Sequence, residues 1–201
     1  MKVKVCGITR LEDALAAQAA GADMVGFVFA ESPRRVEPGI ASEIAAAVSC
    51  QKVGVFVDEP ADIVNRIAVD CMLDFAQLHG DETQAECDAI EIPVIKAVRV
   101  VDSHALARAA EFCVARLLFD ASVPGMAGGT GRTIDWSLLV RYNGPYILAG
   151  GLGPGNVAEA VSRLSPWGVD ASSRLESEPG VKDHARVAAF IRAAKGLSDG
   201  T

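Results

Sequence analysis

The chain has 201 residues, of which 50% are hydrophobic and only 5% aromatic, and its formal net charge at pH 7 is −7. This length and apolar content suit one domain, residues 1–201, with a well-filled core. The acidic balance excludes the basic face that sequence-independent nucleic-acid binding needs, so no nucleic-acid partner is expected. No run of about 18 apolar residues is present, so no membrane-spanning segment is expected either.

The N-terminus and the cysteines predict a cellular compartment. Met1 leads directly into an apolar run, and the hydrophobic region of a signal peptide is missing. The five cysteines are odd in number, scattered and without a Cys-x-x-Cys motif. We therefore expect neither a disulfide framework nor a metal site, and a reducing cytoplasm as the location.

Short apolar runs alternate with helix-like segments along the chain. The runs that we interpret as strands are Val3–Cys6, Met24–Phe29, Val53–Val57, Phe75–His79, Val94–Val100, Leu117–Asp120, Tyr146–Ala149 and Val169–Ala171. The helix-like segments are Leu11–Gly21, Pro38–Val48, a helix after Pro60, Glu82–Ile90, His104–Phe112, a short helix near Trp136–Val140, Asn156–Leu164 and Asp183–Gly196. The longest loop is predicted at Ala121–Thr133.

The strand-like runs are almost continuously apolar, which is typical of parallel strands covered on both faces. Eight strand–helix units in one chain predict an α/β fold, a single-domain closed (β/α)₈ TIM barrel. A doubly wound open sheet is the alternative, but such sheets usually have fewer strands and a glycine-rich nucleotide-binding first turn. Here the first turn is Cys6–Arg10, which has no Gly-x-Gly.

In such a barrel the active site lies at the carboxyl ends of the strands. Polar residues collect at these ends, directly after apolar segments. They are Cys6, Ser32–Arg35, Asp58, His79, Arg99, Asp120, Gly150–Gly151 and Asp170–Ser173. The same rim therefore contains a thiol, carboxylates, a histidine and arginines.

The two last strand ends predict a phosphate site. Gly150 and Gly151 follow the seventh strand, while Asp170, Ser172 and Ser173 lie at the end of the eighth. In barrels these two loops often bind phosphate through backbone N–H groups and hydroxyls. A tight turn and a solvated loop form the alternative interpretation, but the position in the chain favours phosphate.

Two other glycine-rich stretches fail as nucleotide-binding motifs. Gly128–Thr133 is similar to a P-loop, but Met126 stands where a glycine is needed and Arg132 replaces the lysine. Gly151–Asn156 is similar to a dinucleotide-binding motif, but its third glycine is replaced by Asn156.

The catalytic candidates differ in how much their positions indicate. Asp120 ends a very apolar strand and no helix follows it, so a catalytic and a structural carboxylate both stay open. Asp58 precedes a clear helix, and helix capping is predicted there. Cys6, taken alone, is typical of a small buried thiol. His79 could be a core, capping or site histidine.

Arg34 and Arg35 lie in a loop on the same rim. Solvated arginines are the ordinary interpretation, but an anionic substrate would need a cation outside the phosphate pocket. His104 and His184 begin helices, where a structural role is predicted.

The chain resembles the phosphoribosylanthranilate isomerase family in ordered blocks across essentially its whole length. The blocks are Lys4–Thr9, Gly26–Phe29 with Ser32–Arg34, Gly54–Val57, Gln77–Gly80, Gly128–Gly131 with Asp135–Trp136, Ala149–Leu152 with Asn156–Val157, and Val169–Asp170 with Ser172–Ser173. The resemblance implies a cofactor-free Amadori rearrangement in tryptophan biosynthesis. Its substrate is a phosphorylated small molecule, N-(5′-phosphoribosyl)anthranilate, and its product is 1-(2-carboxyphenylamino)-1-deoxyribulose 5-phosphate.

The resemblance also implies roles for single residues. Asp120 is the general acid that opens the ribose ring, and Cys6 is the general base that removes the proton from C2′. Arg34 meets the anthranilate carboxylate, and His79 supports the site from nearby. The phosphate contacts fall on Gly150, Gly151, Asp170, Ser172 and Ser173.

One position departs from the family pattern. The family usually has Ser-Ser-Gly-Val-Glu, whereas this chain has Arg174 after the two serines. An arginine adopts a left-handed backbone less readily than glycine, so we expect a differently shaped loop, a charged contact to phosphate, or both.

Two alternative functions stay open, and the sequence indicates no oligomeric state. The related barrel isomerase of histidine biosynthesis has a carboxylate at the end of its first strand, where this chain has Cys6, and is longer, with two phosphate sites. A non-catalytic barrel that binds a phosphorylated ligand is the second alternative.

Overall fold

The computed structural model of the protein describes residues 1–120 and 136–197. Eight parallel strands pair in sequence order and close into a barrel. The predicted (β/α)₈ barrel is therefore confirmed, and the open doubly wound sheet is wrong. The strands are β1 (Lys2–Cys6), β2 (Met24–Val28), β3 (Gln51–Phe56), β4 (Phe75–Leu78), β5 (Val94–Arg99), β6 (Arg116–Asp120), β7 (Tyr146–Ala149) and β8 (Gly168–Ala171).

Helices follow most of the strands, as the apolar periodicity predicts. They are α1 (Leu11–Ala19), α2 (Pro38–Ala47), α3 (Ala61–Asp70), α4 (Gln84–Asp88), α5 (Ser103–Ala109), α6 (Val157–Leu164) and α7 (His184–Lys195), with a 3₁₀ helix at Trp136–Arg141. α4 starts at Gln84 and not at Glu82, because Thr83 and Glu86 form a capping box there. The largest boundary error is at α5, which ends at Ala109, three residues before the predicted Phe112.

The strands are apolar on both faces because both faces are buried in the closed barrel. β8 closes the barrel against β1, with Val3 opposite Val169. Side chains alternate between the barrel interior and the outer face that the helices cover. A smaller apolar cluster contains Met24, Val53, Ile95, Ala97, Leu118, Ile147 and Ala149, while a larger one joins the strands to the helices.

The connection from β8 to α7 contains structure that the sequence analysis did not predict. A 3₁₀ turn at Ser173–Leu175 is followed by a small antiparallel pair, β9 (Glu176–Glu178) and β10 (Val181–Lys182). These strands are very short and carry charged residues, so no apolar alternation reveals them. Gly180 has φ +85°, which permits the turn between them.

Asp58 does not cap α3, and that prediction is wrong. The N-cap residue is Pro60, and the helix receives no side-chain cap. Asp58 has φ +50°, and its Oδ1 accepts a hydrogen bond of 2.8 Å from the backbone N–H of Asp81. Its side chain therefore joins the end of β3 to the loop after β4.

Two predictions, the long loop at Ala121–Thr133 and the failed P-loop at Gly128–Thr133, lie outside the described residues. Within residues 1–120 and 136–197, no helix combines the length and hydropathy needed to cross a membrane.

A buried ion pair holds the loop that follows β4. Lys96 Nζ lies 2.7 Å from Glu82 Oε2, and both side chains are almost fully buried. Glu82 also accepts hydrogen bonds from the backbone N–H groups of Asp58 and Gly80. Burial opposes ionisation of Glu82, but Lys96 and the backbone N–H of Asp58 outweigh it, so the pKa of Glu82 is lowered. This pair fixes the loop directly after His79.

We expect Lys96→Met to lower the free energy of unfolding by about 3 kcal/mol, because it leaves the Glu82 carboxylate buried without its cation. Lys52 pairs with Asp74 at 3.0 Å but is more exposed, so Lys52→Met is the matched control and should cost less than about 1 kcal/mol. Urea unfolding curves of both variants test this. Equal losses would show that burial does not distinguish the two pairs.

Candidate active site

The carboxyl ends of the strands surround a cavity of about 270 Å³. The predicted site residues that line it are Cys6, His79, Asp120, Gly150, Gly151, Asp170, Ser172 and Ser173. Arg34 lies outside this lining. The structure therefore brings the thiol, the candidate acid and the two predicted phosphate loops into one cavity, although they are far apart in the sequence.

Cys6 is the last residue of β1, and its side chain packs closely against the backbone of Gly26 in β2. A methyl group added at Gly26, which pairs with Cys6, would lie 2.8 Å from Cys6 Sγ and 3.1 Å from Lys4 Cε. Only a glycine leaves this space to the thiol and the lysine stem. Gly7 then turns the chain out of the strand with φ +75°.

Lys4 is a buried cation beneath the thiol. Its side chain is 0% exposed, and its Nζ lies 3.1 Å from Asp170 Oδ2. Burial opposes the charge on Lys4, but Asp170 and Cys6 outweigh it, so the pKa of Lys4 is raised. Burial raises the pKa of the Cys6 thiol, and the Lys4 ammonium partly opposes that rise.

Asp170 faces the cavity with one free oxygen. Its Oδ2 accepts from Lys4, while its Oδ1 is buried and has no hydrogen-bond partner among the described residues. A buried acceptor without a partner is costly, so this atom suits a ligand that donates a hydrogen bond.

His79 connects Gln77 to Asp120. Its Nδ1 lies 2.9 Å from Gln77 Nε2, and its Nε2 lies 3.1 Å from Asp120 Oδ2. With the Gln77 amide in this orientation, Nδ1 must accept, because an amide nitrogen only donates. His79 Nε2 then carries the hydrogen and donates a hydrogen bond to Asp120 Oδ2. His79 is thus a site histidine, and its contact is to the candidate acid.

The loop after β7 is shaped by left-handed glycines. Gly150 has φ +90° and Gly151 has φ +65°, conformations that strain other residues. The Asn156 side chain braces the loop: its Oδ1 accepts from Gly153 N at 2.8 Å, and its Nδ2 donates to Gly151 O at 3.0 Å. Such a turn, opposite the hydroxyls of Ser172 and Ser173, can bind an oxyanion.

Arg34 is held beside the cavity by a buried carboxylate. Its Nε and Nη2 donate to the two oxygens of Glu176, at 2.8 and 2.7 Å, and Lys182 Nζ donates to the same carboxylate at 2.8 Å. Burial opposes ionisation of Glu176, but Arg34 and Lys182 outweigh it and lower its pKa. A methyl group at Gly7 would lie 2.8 Å from Arg34 Cδ and 2.9 Å from Ser172 Oγ, so Arg34 adjoins the loop after β8.

Four residues at or beside the cavity were not predicted from the sequence: Lys4, Gln77, Glu176 and Lys182. Lys4 could have been found, because residues two apart in a strand share a face and Lys4 precedes Cys6 by two. The same spacing relates Gln77 to His79. Glu176 and Lys182 gave no signal, because β9 and β10 were not predicted. Within the described part of the chain, no group of three His, Cys, Asp or Glu side chains could hold a metal ion.

The family relationship follows from comparison with known proteins. Residues 3–193 match the family model described as N-(5′phosphoribosyl)anthranilate (PRA) isomerase. The chain belongs to this family. The isomerase of Geotalea uraniireducens is 51% identical over 98% of this chain and 99% of its own length. That of Geobacter sulfurreducens is 52% identical, with the same coverage.

Solved structures of the family have the same fold. The phosphoribosyl anthranilate isomerase of Thermotoga maritima has a TM-score of 0.92 and 42% identity, covering 98% of this chain and 100% of its own. A second isomerase structure contains reduced 1-(o-carboxyphenylamino)-1-deoxyribulose 5-phosphate; its TM-score is 0.88 and its identity 40%, with the same coverage.

If Lys4 stabilises the Cys6 thiolate, Lys4→Met should raise the pKa of Cys6 by about 1 unit or more, because a nearby cation favours the anion. The thiolate absorbance near 240 nm, taken as the difference from the Cys6→Ser variant of each protein, reports this pKa. Lys2→Met is the control, since Lys2 lies on the same strand but pairs with Asp23. An unchanged pKa in Lys4→Met would contradict the coupling.

Proposed function

We propose that this chain converts N-(5′-phosphoribosyl)anthranilate into 1-(2-carboxyphenylamino)-1-deoxyribulose 5-phosphate by acid–base catalysis, a step of tryptophan biosynthesis. The observation that carries the proposal is one cavity that combines Cys6, Asp120 and two phosphate-type loops. The bound ligand of the related isomerase structure is the reduced form of this product, which supports the substrate.

In the first step Asp120 protonates the ring oxygen of the ribose. The bond from C1′ to that oxygen breaks, and the nitrogen lone pair forms an iminium with C1′. Asp120 is then a carboxylate, and the Nε2–H of His79 is in place to stabilise it. His79 therefore serves as a positioning residue for the acid.

In the second step the Cys6 thiolate removes the proton from C2′. The electron pair of that bond moves towards the iminium and gives an enamine, which becomes the aminoketose when C1′ takes a proton and the C2′ hydroxyl loses one. The thiol pKa is raised by burial. The positive iminium and Lys4 both favour the thiolate when the substrate is bound, so the base is formed where it is needed.

The phosphate loops hold the ribose between acid and base. We assign the phosphate to the backbone N–H groups around Gly150 and Gly151 and to Ser172 and Ser173. Asp170 takes a different role from the predicted phosphate contact, because a carboxylate repels a phosphate. Its free Oδ1 suits a hydroxyl of the substrate.

Arg34 is assigned to the anthranilate carboxylate. Two of its nitrogens are engaged by Glu176, and its Nη1 has no hydrogen-bond partner among the described residues. Glu176 fixes the plane of the guanidinium, which reduces the entropy lost when a second carboxylate binds.

The reaction consists of proton transfers and needs no redox cofactor. The histidine-pathway isomerase is less well supported, because a thiol, and not a carboxylate, lies at the end of β1. Because the enzyme belongs to a biosynthetic pathway, we place it in the cytoplasm.

The purified enzyme should turn over fresh phosphoribosylanthranilate, with the histidine-pathway substrate tested in parallel. Cys6→Ser and Asp120→Asn should each lower kcat by about 10²–10⁴-fold, the usual contribution of an acid or base. Cys50→Ser is the control, because Cys50 is a half-buried thiol away from the cavity lining. Near-normal turnover of both site variants would overturn the mechanism.

Arg34→Ala should raise KM by about 10-fold or more with a smaller change in kcat, since it removes a charge-assisted contact to the substrate carboxylate. The control is the neighbouring Arg35, which is exposed and whose Nη2 lies 3.8 Å from Glu37 Oε1. Arg35→Ala should leave both constants unchanged. Steady-state kinetics of the two variants decide the assignment, which fails if their KM values agree.

A further inference from the structure

The Arg174 side chain lies along the glycine loop after β7. A methyl group at Gly153 would lie 3.0 Å from Arg174 Cβ and 3.1 Å from Arg174 Cδ, so the arginine stem packs on the Gly153 backbone. A methyl group at Gly151 would lie 3.9 Å from both Nε and Nη2 of Arg174. The guanidinium therefore reaches Gly151, one of the glycines that line the cavity.

The backbone at Arg174 lies outside the left-handed region. Among the described residues, the non-glycine positions with positive φ are Asp58, Met72 and Ser165. Arg174 lies in the 3₁₀ turn Ser173–Leu175, where any residue is accommodated. Arg174 therefore adopts no left-handed backbone, and its side chain places a positive charge at this loop.

Arg174 is an unpaired cation within the described part of the chain. No described side chain accepts a hydrogen bond from it or forms an ion pair with it. The other cations near the loop are engaged: Lys4 with Asp170, and Arg34 and Lys182 with Glu176. A phosphate between the two loops would otherwise meet neutral N–H and O–H donors and cations that are already paired with carboxylates.

We propose that Arg174 is a phosphate-binding residue, whose guanidinium donates hydrogen bonds to the phosphate held by the β7 and β8 loops. This inference rests on the proposed function for the identity of the phosphorylated substrate. The planar guanidinium of arginine is suited to two phosphate oxygens, which lysine cannot match.

Inorganic phosphate is the direct probe, because its binding needs neither catalysis nor the rest of the substrate. Isothermal titration at constant ionic strength should show a Kd about 10-fold higher for Arg174→Met than for the wild type. Arg174→Lys should fall between them, since it keeps the charge and loses the planar fork. Arg66→Met, an exposed arginine on α3, is the matched control for total charge and should bind like the wild type.

Steady-state kinetics then connect this contact to the substrate. Arg174→Met should raise KM for the phosphorylated substrate by a similar factor while kcat changes little, because a phosphate contact is made equally in the bound substrate and in the transition state. A wild type that binds phosphate but turns over no phosphoribosylanthranilate would overturn the proposed function and leave the Arg174 contact intact. An Arg174→Met variant with wild-type Kd, or a loss equalled by Arg66→Met, would overturn the Arg174 proposal.

Discussion

The buried ion pair between Lys4 and Asp170 is the constraint on which the site depends. It joins β1 to β8, the two strands that close the barrel, directly beneath the thiol. A lysine inside a barrel costs much solvation energy unless a carboxylate is within contact. Because Asp170 has that partner, it stays fixed at the cavity floor with one oxygen left for a ligand. The same contact keeps a positive charge beside Cys6.

Two further buried ion pairs lie around the same rim. Lys96 and Glu82 fix the loop after His79, and Lys182 and Glu176 fix the loop after β8. Buried pairs contribute little net stability, but breaking one is costly, so each selects a single arrangement of its loop. Acid–base catalysis requires side chains held within a fraction of an ångström, and these pairs provide that precision on otherwise irregular segments.

The sequence predicted the barrel because parallel strands covered on both faces are apolar throughout, and that pattern needs no tertiary information. It placed the cavity lining for the same reason, since strand ends meet at one rim. It failed where a tertiary contact decides the outcome. Asp58 looks like a helix cap, but the chain turns at that residue and its carboxylate binds the next loop. Glu176 and Lys182 belong to strands too short to show a pattern.

The two arginines beside the loop after β8 differ in their ion pairs, which suits them to different anions. Arg34 shares its guanidinium with Glu176, which lowers its effective charge and fixes its plane, so it can orient a carboxylate more than it attracts one. Arg174 has no such carboxylate among the described residues and keeps its full charge, which suits a phosphate with up to two negative charges. A substrate with an anion at each end would then be drawn in at the phosphate and aligned at the carboxylate. The ring oxygen and C2′ between these anchors would be presented to Asp120 and Cys6.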